Sequence, residues 1–120
     1  ALSADVREAW RQRCVRASAV ALEARAGVPT ALSIHGLASG LMLARDLAAD
    51  MRARGIAIRA GVASGDIDGR AAESGIVAAH LLAEAASPGE VRVSRDLAGV
   101  LAGTGVRLEP APGDGIRVRP

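Results

Sequence analysis

The sequence contains no Lys, no Phe and no Tyr, and Trp10 is its only aromatic residue. An interior with almost no rings has to be built from Ala, Val, Leu and Ile packed closely, with Met42 and Met51 expected to fill the gaps. Without aromatic platforms to stack bases, and with its arginines scattered rather than clustered, the chain is not expected to bind nucleic acid. The formal charge is only +2. The exclusive use of Arg as the basic residue is as much a mark of GC-rich coding as of selection. Cys14 is the only cysteine, so no internal disulfide can form, and a reducing, cytoplasmic setting is expected. Its spacing from Trp10 places it on the apolar side of a helix, as a small buried hydrophobe.

No secretory signal is legible: Asp5, Arg7 and Glu8 already charge the first residues. Residues 26–44 carry no Asp, Glu or Arg, which superficially suggests a membrane span. Gly27, Pro29, Ser33, His35, Gly36 and Gly40 divide that stretch into strand, turn and helix start, so no membrane association is expected.

What is present is a 120-residue chain, half of it hydrophobic. That is one domain's worth, residues 1–120, with enough apolar surface for a core without metal or disulfide. Its centre is "GIAIRAGVASGDIDG", residues 55–69. A glycine ends a helix, Ile56, Ile58, Ala60 and Val62 alternate as a strand, and a glycine–acid turn follows. Gly61, inside the strand, leaves room for a close backbone neighbour or a bulge.

Upstream, Ser3 is a plausible N-cap, and Val6, Trp10, Cys14, Ala17 and Ala21 recur at helical spacing. Gly27 and Pro29 are expected to end that helix. A strand is expected at 30–34. A helix then runs from 35–37 to 54, with an apolar stripe of Leu37, Leu41, Ala44, Leu47, Ala48 and Met51, and stops at Gly55.

Downstream, Ser74 is expected to cap a helix through residue 86. Ile76, Ala79, His80 and Ala83 share one face of it, beside Val77, Leu81 and Glu84. Ser87-Pro88-Gly89 turns into a strand at 90–94, and Ser94 caps a short helix at 95–102. Strands at 106–109 and 115–119 form a hairpin around a turn at 110–114. The alternation predicts an α/β (α+β sandwich) fold, with helices packed on one face of a mixed sheet.

Three pieces, "GIAIRAGVASGDID", "SGIVAAHLLAEAASPGEVRVSRDLAGVLAG" and "GVRLEP", together resemble the second half of a class III adenylate/guanylate cyclase catalytic domain. In that family a strand R-x-G-[IL]-x-x-G-[ED] precedes a helix V-N-x-A-A-R-L. A strand P-G-E-[IV]-x-[VI]-S, a helix and a hairpin follow. Arg59, Gly61, Val62, Gly65 and Asp66 fit the first strand, and Ala78 and Ala79 fit the alanine pair. Pro88, Gly89, Glu90, Val91, Val93 and Ser94 fit the later strand. The resemblance is strongest over 55–109; upstream it is one of arrangement only. It implies a ferredoxin-like cyclase-homology fold lacking the opening strand.

The resemblance also implies a chemistry to test. Such enzymes use two metal-bound Asp carboxylates to activate a ribose hydroxyl and neutralise a triphosphate. The first lies in an opening strand F-x-D-[IM], and this chain begins at what resembles the next helix. The second lies in a G-D turn between two strands. Residues 27–36 hold no acid and have room for one strand only, so both metal positions are expected to be deleted. The family's transition-state Asn and Arg fall on Ile76 and His80, or on Val77 and Leu81 in the neighbouring register. The adenine-reading lysine has no counterpart. Losing each of these groups costs several kcal/mol of barrier.

The resemblance thus implies a non-catalytic regulatory or dimerisation module in signalling, with no catalytic, cofactor-binding or metal residue and no cofactor. A homodimer or a partner domain is the expected partner. The alternatives are one half of a composite cyclase, or a nucleotide or small-molecule sensor. Asp66, Asp68 and Glu73 make a small acidic cluster without calcium-loop spacing, so they read as a solvated turn. His35 and His80 have no ligand partners at metal spacing. Gly36 and Gly40 let a neighbour approach a helix start.

Overall fold

The structure is a computed structural model that describes residues 3–25, 28–65, 70–113 and 115–119, with side chains at all of these except 23, 25 and 70–74. The acidic cluster expected at Asp66, Asp68 and Glu73, and the expected helix stop at Gly27, lie outside what is described. The chain divides into two compact units, Ala1–Leu47 and Ala48–Pro120.

The first unit opens with α1 (Ala4–Arg16). The Ser3 hydroxyl caps it by accepting from the Val6 N–H at 3.3 Å. Asp5 lies in its first turn and Arg13 and Arg16 in its last, each complementing the helix dipole. Val6 and Cys14 are buried on one side.

The helix stops well before Gly27. Ser18, at φ +56°, donates its N–H to Val15 O, and Ala19 donates to Cys14 O. This pair of bonds around a left-handed residue is the Schellman ending, built here on serine instead of the usual glycine.

Residues expected to prolong the helix instead form β1 (Val20–Arg25), which pairs antiparallel with β2 (Val28–Ser33). Val20 stands opposite Ser33 and Arg25 opposite Val28, with register irregularities on either side of Glu23. Residues 27–36 thus hold one strand, β2, as expected; the correction is to residues 20–25, which were expected to be helix and form β1. α1 lies against β2.

α2 (Leu37–Ala53) begins after Gly36, whose φ is +96°. Leu41, Leu47, Ala48 and Met51 of the expected stripe are buried along it, as is Leu43, which the stripe did not include, while Leu37 and Ala44 are half-buried. Met42 is 63% exposed and fills no core gap, contrary to expectation, because it lies off that stripe.

In the second unit α2 ends with the same motif as α1. Gly55 N–H donates to Arg52 O and Ile56 N–H to Met51 O, with Gly55 at φ +78°. The central strand is regular only over β3 (Ala60–Val62), although Gly89 N–H still reaches Ile58 O at 2.7 Å.

α3 (Arg70–Ala85) starts a full turn before the expected cap, so Ser74 lies inside it. β4 (Val91–Val93), α4 (Arg95–Leu101), β5 (Leu108–Pro110) and β6 (Ile116–Val118) complete the unit. Ser94 occupies the N-cap position of α4, but its side chain makes no capping bond.

The sheet order is β3-β4-β6-β5, with β3 and β4 parallel and the other neighbours antiparallel. This is the expected α/β class, a mixed sheet packed against helices. All three residues of β4 are buried, so both faces of this central strand are covered. No helix of the described residues is long and apolar enough to cross a membrane.

Candidate functional site

The resemblance directs attention to β3, α3 and the strand that follows. Gly61 carries the closest packing there. A methyl group at Gly61 would overlap the Ala79 carbonyl oxygen and sit 2.7 Å from Leu82 Cβ and 2.8 Å from Ala83 N. The backbone of α3 thus rests directly on the strand, which only glycine permits, as its position in the strand had suggested. A second contact of this kind lies just beyond. A side chain at Gly75 would meet Ser64 O at 2.9 Å and Gly65 Cα at 3.1 Å, so the chain leaving β3 runs against α3.

Of the α3 positions tested for transition-state groups, Ile76 and His80 are half-buried, while Val77 and Leu81 are 56% and 48% exposed. The first register faces inward and the second faces solvent. Arg59 is exposed. His35 is exposed in the turn before α2. The residues joining β1 to β2 are Ala26 and Gly27, neither of them acidic. Among the described residues no three His, Cys, Asp or Glu side chains gather as a metal-binding group.

The densest polar constellation crosses the four-stranded sheet. Sheet register lines up Gly61, Arg92, Arg117 and Glu109 in one transverse row. Glu90, two residues before Arg92, projects to the same side. Arg92 Nε donates to Glu90 Oε1 at 2.6 Å, and a second guanidinium nitrogen donates to the Pro112 carbonyl. Arg117 lies 3.4 Å from Glu90 and 2.9 Å from Glu109, and Arg119 bonds the other Glu109 oxygen at 2.9 Å.

Burial pushes the Glu90 carboxyl up, but the Ser87 N–H, Arg92 and Arg117 together outweigh it and hold the group below the ordinary glutamate value. Arg117 and then Arg119 hold Glu109 low. Both carboxylates are therefore committed to arginines, and the row ties three strands together rather than presenting a free acid or base.

Sequence reasoning matched Glu90 only as part of a turn-and-strand motif. The alternation Glu90-x-Arg92 and the charges at Glu109, Arg117 and Arg119 were the signal that could have exposed the network.

Two lesser features lie on α1. Cys14 is buried, and burial pushes its thiol up, with Trp10 partly countering. Arg11, Gln12, Val15 and Arg16 line an open groove of about 260 Å³ on α1, where Arg11 pairs with Glu8.

No known protein-family model matches the chain, and no curated protein matches it in sequence.

Proposed function

We propose that the chain is a non-catalytic, cyclase-like regulatory module that acts by dimerising in a cytoplasmic signalling protein. The observation that carries this reading is the pairing of a cyclase-like order of elements with the wrong residues at the catalytic positions. A helix, a strand pair and a helix precede the R-x-G strand. A helix, the P-G-E strand, a short helix and a hairpin follow it, which is the order the resemblance implies.

Where that resemblance calls for Asn and Arg, α3 offers Ile76 and His80 or Val77 and Leu81. No carboxylate stands between β1 and β2. Each missing stabiliser of developing phosphate charge removes several kcal/mol from catalysis. A domain that has lost such groups retains its surfaces, and surfaces are what a dimerisation module uses.

Thermal unfolding with and without ATP or GTP, each with Mn²⁺, tests this. A ligand at about a hundred times its dissociation constant adds roughly 2.7 kcal/mol and raises the melting temperature by several degrees. The expected result is no shift at millimolar nucleotide. A nucleotide-selective shift overturns the reading in favour of a sensor. Cyclic nucleotide formed only when a second cyclase-like chain is added overturns it in favour of half a composite enzyme.

A further inference from the structure

We draw no further inference here: the strongest candidate, the partly exposed charged patch of Glu109, Arg117 and Arg119 at the β5–β6 hairpin, belongs to the ion-pair network already described, and nothing in the structure shows what covers it.

Discussion

Arg92 and Glu90 form an ion pair at 2.6 Å in which the two side chains are 2% and 8% exposed. A charge so placed has no water to fall back on, and the cost of stranding it exceeds the worth of the pair itself. Glu90→Gln takes the Glu90 charge away from the buried Arg92 guanidinium and is expected to destabilise the fold by about 3 kcal/mol. The double variant Glu90→Gln/Arg92→Met removes the buried guanidinium as well and is expected to recover part of that loss. Urea denaturation of the three proteins measures both numbers.

The same network sets an acid limit. Glu90 and Glu109 are both held below the ordinary glutamate value of 4.5 in the folded chain. The unfolded chain therefore binds protons first, and stability falls as pH drops. The contribution is whole above about pH 4.5 and is lost as pH falls below it through the folded-state values. Melting temperatures between pH 3 and pH 7 are expected to fall mainly at the acid end, by less in Glu90→Gln, because that variant has lost the titrating group.

Gly61 has no room for a methyl group. Gly61→Ala forces α3 away from β3 and is expected to cost about 3 kcal/mol, the upper part of the range for overpacking. Gly99→Ala is the control, since a side chain there meets nothing within 4 Å. A melting temperature unchanged in Gly61→Ala would refute the close approach of α3.

Ser18 holds a left-handed backbone conformation at φ +56°, which costs an L-residue with a β-carbon about 1 kcal/mol relative to glycine. Ser18→Gly is therefore expected to stabilise the protein by up to about 1 kcal/mol. Ser18→Val, with a β-branched side chain in the same conformation, is expected to destabilise it. Thermal melts of the pair give the sign directly.

The two helix endings show what a linear sequence can carry. Gly55 and Ser18 occupy the same position in the same motif, with the same pair of backbone bonds. The end of α2 was legible because glycine takes up positive φ without strain. The end of α1 was not, because serine carries no such signal, and the apolar spacing of Ala17 and Ala21 runs past it. That one misreading also hid β1, since residues 20–25 were assigned to the helix. Its apolar alternation, Val20, Leu22 and Ala24, was present in the sequence but overridden by the helical period.

By itself the sequence determined the α/β class, the burial of Cys14 and Met51, the stripe on α2, the hairpin at the end of the chain and the need for glycine at position 61. Each of these follows from local periodicity, turn chemistry or the size of a single side chain. Only the tertiary structure decided that Glu90, Arg92, Glu109 and Arg117 form one network, because sheet register brings together residues up to 27 positions apart in the chain. It decided, too, that Val20 and Leu22 are exposed on a strand that, among the described residues, is paired along one side only. Burial and pairing belong to neighbours distant in sequence, and no local pattern encodes which neighbours those are.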